Sequence, residues 1–188
     1  ALPLQDGFDI QHLTLHKMDA ELANLKAQAS TLAVDICHFT GKHADRPLLV
    51  DHFRTSLFVA PDGVEFKALR LRTGCSTLEG SCTLTYDLSL PPAAFKDNVH
   101  VTAHLSSAVI AAEELAVFLP YFKQHKTSYS LSGALEGKVN DFRVKDLKLD
   151  FGEQGSRFEG CLSLQGLPNL QEATFDIELQ QGVLHTKD

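Results

Sequence analysis

The chain has 188 residues, 44% of them hydrophobic, which suits one domain of ordinary size or a segment of an elongated protein. A formal net charge of -7, with scattered lysines and arginines, argues against nucleic acid and anionic lipid headgroups as targets. No run reaches the roughly 18 to 20 consecutive apolar residues that span a bilayer. Because the chain starts at Ala1 without a basic stretch, we expect an excised piece or a mature product whose anchor, if any, lies outside it.

Four cysteines, Cys37, Cys75, Cys82 and Cys161, lack the short paired spacings and nearby histidines of a metal site. In extended chain, at about 3.3 Å per residue, Cys75 and Cys82 would lie roughly 20 Å apart, too far for a disulfide. We therefore expect four unpaired thiols.

The first part of the chain alternates apolar and polar residues, which predicts β-strands. A phase slip at Gln11-His12 predicts a bulge in the first strand. Residues 18–30 would also suit a helix by propensity, but they lie between strands without a clear cap, so we expect a strand. Residues 32–36 resume the alternation, and the polar residues 40–47 are expected to form a disordered loop.

Strand patterns continue towards the middle of the chain. We expect strands at 48–60, 64–72, 77–90 and 99–105, with a turn at Pro61-Asp62-Gly63 and a stop at Pro91-Pro92. One amphipathic helix is predicted at about residues 111–122, capped by Ser106 or Ser107 and ended or kinked by Pro120. Its apolar stripe should lie on the sheet and consists of Leu115, Phe118, Leu119 and Phe122.

The last strands are predicted at 129–139, 142–151, 156–164 and 173–179, followed by a frayed tail at 180–188. Each has one apolar side and one polar side, as in an antiparallel meander, with a phase slip between Val144 and Leu147. The apolar sides carry Phe142, Val144, Leu147, Leu149, Phe151, Phe158, Leu162, Leu164, Ala173, Phe175, Ile177 and Leu179.

An internal repeat links the two halves. Ser76-Thr77-Leu78-Glu79-Gly80 returns as Ser156-Arg157-Phe158-Glu159-Gly160, so a hairpin at about 64–90 recurs at about 142–165. The two repeated glycines mark either a curl of the sheet or a simple bulge. The expected fold for residues 1–188 is mainly β: one elongated antiparallel repeat sheet, shaped as a bent groove or half-barrel, with one short amphipathic helix.

Candidates for catalysis or metal binding are weak. His100 and His104 should lie about 13 Å apart on the polar side of a strand. Ser76 and Ser156 recur in turns, where a hydroxyl satisfies local backbone groups, and Glu79 and Glu159 recur as charges on a solvated face. No nucleophile elbow is present. We expect no enzymatic activity, no cofactor and no metal.

Several motifs together carry a likeness to a known family. The first group is Leu69-Arg70-Leu71-Arg72-Thr73, followed by Ser76, Leu78, Gly80 and Tyr86. The second group is the amphipathic residues 111–120, then Leu131 and Leu135 alternating with Gly133 and Gly137, then Leu147, Leu149 and residues 158–169. In this order they resemble the AsmA-like family, and within it the TamB-type translocation and assembly module proteins of Gram-negative envelopes. The likeness covers most of the chain and is densest from 64 to 179.

The resemblance implies a periplasmic, non-enzymatic β-groove in which phospholipid acyl chains are held or moved between inner and outer membrane. It implies that the groove is lined by Phe142, Val144, Leu147, Leu149, Phe158, Leu162, Leu164, Phe175 and Ile177. The helix residues Leu115, Phe118, Leu119 and Phe122 would cap it. The family's membrane anchor and the C-terminal region that engages an outer-membrane barrel assembly protein are absent from this sequence. The alternative is an envelope scaffold module with a closed β core and no lipid.

Overall fold

The computed structural model describes residues 15–43, 49–86, 98–116, 120–124, 126–138, 140–166 and 173–186. The strands are β1 (Leu15–Gln28), β2 (Thr31–His43), β3 (Leu49–Ala60), β4 (Gly63–Thr73), β5 (Thr77–Thr85), β6 (His100–Ala111), β7 (Ser128–Lys138), β8 (Asp141–Phe151), β9 (Ser156–Gln165) and β10 (Thr174–Val183). A four-residue helix, α1 (Ala112–Leu115), and a 3-10 helix (Pro120–Gln124) lie between β6 and β7.

All ten strands belong to one open sheet, in which each pairs antiparallel with its neighbours in sequence. The fold class predicted from the alternating pattern is confirmed: a mainly β chain with a single extended sheet and one short helix. Strands β1 and β10 form its two edges. The repeated hairpins are β4–β5 and β8–β9, which lie four strands apart.

One side of the sheet is apolar from β2 to β10, because residues that face each other across antiparallel strands point to the same side. We call this side the apolar face. It comprises Leu32, Val34, Ile36, Phe53, Leu57, Val59, Val64, Phe66, Leu69, Leu71, Leu78, Cys82, Leu84, Val101, Ala103, Leu105, Ala108, Ile110, Tyr129, Leu131, Leu135, Phe142, Val144, Leu147, Leu149, Phe151, Phe158, Leu162, Leu164, Phe175, Ile177 and Leu179.

A line of leucines and glycines crosses the middle of this face. It runs Leu69, Gly80, Leu105, Gly133, Leu147, Gly160 and Leu179 on β4 to β10, and we call it the Leu–Gly row. At this level the even-numbered strands β4, β6, β8 and β10 shift register against their neighbours. A bulge bends its strand and increases the local twist, so the row places a bend at the same level in alternate strands.

The bulges explain both the predicted phase slip and the repeated glycines. The slip between Val144 and Leu147 is a bulge in which Asp146 has a left-handed φ of 51°. Gly80 and Gly160 do not bulge themselves; each faces a bulged strand, and a Cβ on either would overlap the backbone carbonyl of His104 or Glu178. Glycine is therefore required at these two positions by close approach of a neighbouring strand.

The helix is shorter than the predicted 111–122. Ala111 ends β6 and precedes α1 without a side-chain cap, and both Ser106 and Ser107 lie within β6, so the predicted cap was wrong. Pairing with β5 continues to Val109 and pairing with β7 to Ala111, and this ladder overrides the helical propensity of the sequence. Pro120 begins the 3-10 helix.

Two other boundaries differ from the sequence-based expectation. Residues 18–28 lie in β1, so a strand is confirmed there, while Ala29 and Ser30 form the turn to β2. However, β2 continues through residues 40–43, where a loop was expected, and β10 continues through 180–183, where fraying was expected. A register shift between Leu179 and Gln181 hides the end of β10 from a simple alternation pattern. The bulge predicted at Gln11-His12 and the predicted strand end at 87–90 lie outside the described residues.

Candidate functional site

The nine lining residues predicted from the sequence all lie on the apolar face, in β8, β9 and β10. Leu164 of β9 stands between Phe142 and Phe175, one residue on each neighbouring strand. The same arrangement repeats for Leu162 between Val144 and Ile177. Leu147 faces Gly160, and Leu149 faces Phe158. These side chains therefore form one contiguous apolar surface.

Exposure of this surface rises towards the β10 edge. Leu147 and Leu164 are buried, with 7% and 8% of their surface exposed. Phe175 and Ile177 are 51% and 55% exposed. The gradient follows from the number of neighbours, because β8 and β9 have a strand on each side whereas β10 has one.

No second layer of strands covers the apolar face within the described ranges, where each strand packs chiefly on its neighbours in the sheet. Most side chains on the apolar face are consequently half-buried, as in β7 and β8. The buried hydrophobic residues in these ranges are Val34, Val99, Ala108, Ala111, Ala112, Leu147 and Leu164. A closed two-layer core would bury the inward positions of every central strand.

A partial cover lies at one end of the apolar face, beside β6 and β7. The ring of Phe122, in the 3-10 helix, packs edge-on against Tyr129 at a centroid distance of 5.8 Å. Tyr129 belongs to the apolar face. Of the predicted capping residues, Phe122 thus lies beside the face and Leu115 is half-buried in α1. Phe118 and Leu119 lie outside the described residues.

A carboxylate anchors α1 to the turn between β4 and β5. Glu114 accepts hydrogen bonds from the Thr73 hydroxyl and, at 3.1 Å, from the backbone N–H of Cys75. A hydrogen bond with the Glu113 side chain, with added desolvation, raises the pKa of the Cys75 thiol. Sequence reasoning missed this anchor, because it gave the helix only an apolar contact with the sheet.

The repeated serines have a structural role. The hydroxyl oxygen of Ser76 accepts the backbone N–H of Ala111 at 3.0 Å, and that of Ser156 accepts the N–H of His185 at 2.9 Å. Ser76 lies in the β4–β5 turn as predicted, whereas Ser156 is the first residue of β9. Neither donor is local, because Ala111 ends β6 and His185 follows β10.

The polar candidates do not converge on one pocket. His100 and His104 are exposed on β6, as expected for its polar side, and the four cysteines are free thiols. His38 and His52 approach within 3.1 Å between their Nδ1 atoms. Among the residues that the structure describes, no group of three or more metal-ligating side chains comes together.

A shallow depression of about 540 Å³ lies near the other edge of the sheet, lined by Asn24, Lys26, Asp35, Ser56 and Lys67 among others. Hydrogen bonds from Asn24 and then Ser56 lower the pKa of Asp35. These bonds, of 2.7 and 2.6 Å, link β1, β2 and β3 on the polar side. The polar groups of the depression thus lie on the polar side, although its lining also includes Val34 and Leu57 of the apolar face.

Sequence reasoning also missed the extent of the site. It assigned lining residues to β8, β9 and β10, yet the same face continues through β2 to β7. Val34, Leu57, Phe66, Leu84 and Leu135 are examples. The signal was present as matching parity in successive strands, but joining them needs the register across each bulge.

Comparisons with protein-family models, with curated proteins and with solved structures each find no match. Among the described residues, no helix has the length and apolar character needed to cross a membrane. The apolar face is thus the feature of the molecule from which a function can be inferred.

Proposed function

We propose that this chain binds phospholipid acyl chains along its apolar face and catalyses no reaction. The observation that carries the proposal is a contiguous apolar surface, running from β2 to β10, without a second layer in the described ranges. Soluble proteins rarely leave an apolar patch larger than a few hundred Å² uncovered unless it contacts a ligand, a partner or a membrane.

The dimensions of the sheet suit an acyl chain. Strands about 4.8 Å apart make a ten-stranded sheet about 43 Å wide. One leaflet contributes about half of the roughly 30 Å hydrocarbon core, so an extended acyl chain of about 15 Å covers about three strands. At about 0.8 kcal/mol per buried methylene, a dozen carbons supply on the order of 10 kcal/mol before the cost of ordering is subtracted.

The other side of the sheet carries charged groups, and several of them are paired with one another. Arg143 contacts Glu178 at 3.1 Å, and Arg157 contacts Asp150 at 2.6 Å. The apolar face itself offers a bound lipid hydrocarbon contacts and no charged partner among the residues that define it. We therefore expect binding to depend on acyl chains and to tolerate different headgroups.

The cellular setting is part of the proposal and is supported by the resemblance alone. A TamB-type protein would place this face in the periplasm of a Gram-negative cell, between the two membranes. An outer-membrane barrel assembly protein would then be engaged through a region that this sequence does not contain. The row of bulges supports such a role, because bulges bend their strands and a trough requires a bent sheet.

Lipid extraction from gently purified protein, followed by mass spectrometry, tests the proposal. We expect stoichiometric phospholipid in the wild type and its loss from a Leu131→Glu/Leu162→Glu variant, which places two charges on the apolar face. The matched control is Ser132→Glu/Ser163→Glu, which adds the same charges at adjacent positions on the opposite side of the same strands.

Folding of each variant is checked by far-UV circular dichroism. If the leucine variant fails to fold, Phe175→Glu replaces it, because that side chain is half-exposed at the edge. A stable wild type without lipid would contradict the proposal and favour the envelope scaffold. Equal lipid loss from the serine control would show that added charge, and not the apolar face, controls binding.

A further inference from the structure

We propose that β10 of one copy pairs antiparallel with β10 of a second copy, which joins the two sheets edge to edge. The inference does not depend on lipid binding. It follows from the exposure of β10, from its place in the repeat, and from the sequence of the strand itself.

Strand β10 is the less protected edge of the sheet, with a single register shift against β9. Every residue from Thr174 to Val183 is exposed, and Phe175, Ile177 and Leu179 are 51–60% exposed. In the described residues its backbone pairs only with β9, and the strand contains neither proline nor lysine. Proteins usually protect such an edge with prolines, lysines or bulges, because its free N–H and C=O groups recruit another strand.

The opposite edge is protected in these ways. Strand β1 contains Lys17 and Lys26 and shifts register against β2 three times. Lys17 and Asn24 have left-handed φ values of 53° each, which break the regular edge. The two edges thus differ in availability, and β10 is the one able to accept a strand.

The repeat indicates what kind of strand β10 would accept. Strand β6 holds the equivalent position in the first repeat, and its second side is paired with β7. There Leu105 faces Gly133 in the Leu–Gly row. The row ends at Leu179 on β10, so a strand that continues it must place a glycine opposite Leu179.

Strand β10 carries such a glycine. Leu179 and Gly182 both point to the apolar side, since they face Gly160 and Phe158. In one antiparallel register, Leu179 faces Gly182 of the second copy and Gly182 faces Leu179 in return. Ile177 then faces Leu184 of the second copy. A two-fold axis perpendicular to the sheet makes this contact self-complementary and keeps both apolar faces on the same side.

Charge favours the same register. It places Asp176 opposite His185 of the second copy and Glu178 opposite the uncharged Val183. A register centred on Ile177 would place Asp176 opposite Glu178 of the second copy. A register centred on Glu178 would place the two Glu178 side chains opposite each other. Like charges directly opposite each other destabilise a strand pair.

Sedimentation velocity across a range of protein concentrations tests the contact. We expect a monomer–dimer equilibrium whose dissociation constant rises at least about tenfold in Ile177→Lys, because a lysine on an edge strand opposes pairing. The matched control is Leu22→Lys, 57% exposed on the β1 edge, which should leave the equilibrium unchanged. A wild type that stays monomeric, or equal loss of dimer in both variants, would overturn the proposal.

Disulfide trapping tests the register. The four native cysteines are replaced by alanine, and Glu178→Cys/Val183→Cys is introduced. In one strand these positions lie roughly 16 Å apart, too far to bridge internally, so oxidation should yield covalent dimers. Asp176→Cys/Glu178→Cys reports the disfavoured register and should cross-link at least about tenfold more slowly. Faster cross-linking of that pair, or none in either, would refute the β10 register.

Discussion

Strands β4–β6 and β8–β10 are built alike but are covered differently. Each set has a serine that receives an N–H from the end of its third strand, and a glycine that faces a bulged strand. Yet Leu105 of the Leu–Gly row is half-buried on β6, whereas Leu179, its counterpart on β10, is 60% exposed. Local sequence therefore sets the backbone geometry in both places, while the next strand sets the burial.

The end of the third strand differs as well. After Ala111 the chain turns into α1, where Glu114 binds the β4–β5 turn through Thr73 and the N–H of Cys75. In the second repeat Gly155 takes the place of Cys75. In the first repeat, Glu114 thus anchors the segment after β6 to the turn before β5.

Substitution of the repeated glycines should have the largest effect on stability. We expect Gly80→Ala to lower the free energy of unfolding by about 3 kcal/mol, because the added methyl overlaps a carbonyl of β6, which is held on both sides. Gly160→Ala should cost about 2 kcal/mol, because the carbonyl that it meets belongs to the edge strand β10, which can move. Urea unfolding measures both.

Gly74→Ala is the matched control, since its methyl would find only ordinary contact with Glu114. It should change stability by less than about 0.5 kcal/mol. If Gly160→Ala cost as much as Gly80→Ala, then β10 would be held as firmly as β6, and the contrast between inner and edge strands would fail.

The sequence was sufficient for the parts of the fold that depend on local pattern. Alternation identified the strands, the recurrence of Ser76 and Gly80 identified the hairpin repeat, and the slip before Leu147 located a real bulge. It could not give the Leu–Gly row, because Leu105 and Gly133 lie 28 positions apart and meet only once the bulges fix the register. The anchor at Glu114 was hidden for the same reason.

Loss of the repeated serine hydroxyls should have an intermediate effect. Ser76→Ala leaves the buried N–H of Ala111 without its acceptor and should lower the free energy of unfolding by about 2 kcal/mol. Ser156→Ala should cost about 1 kcal/mol, because the N–H of the exposed His185 can turn to water. Ser81→Ala, at an exposed position of β5, serves as the urea-unfolding control. A larger loss for Ser156→Ala than for Ser76→Ala would contradict this order.

The smallest effect concerns the thiol at the anchored turn, and it is chemical rather than energetic. Because the bond with Glu113, and then desolvation, raise the pKa of Cys75, less thiolate is present at pH 8 than at an ordinary cysteine. In a variant with Cys37, Cys82 and Cys161 replaced by alanine, Glu113→Gln should lower that pKa and speed alkylation by iodoacetamide. The full pH–rate profile separates this shift from a change in access, since a change in access alone would scale the rate equally at every pH. An unshifted profile in Glu113→Gln would mean that the carboxylate does not contact the thiol in solution, and that the first repeat is anchored by Glu114 alone.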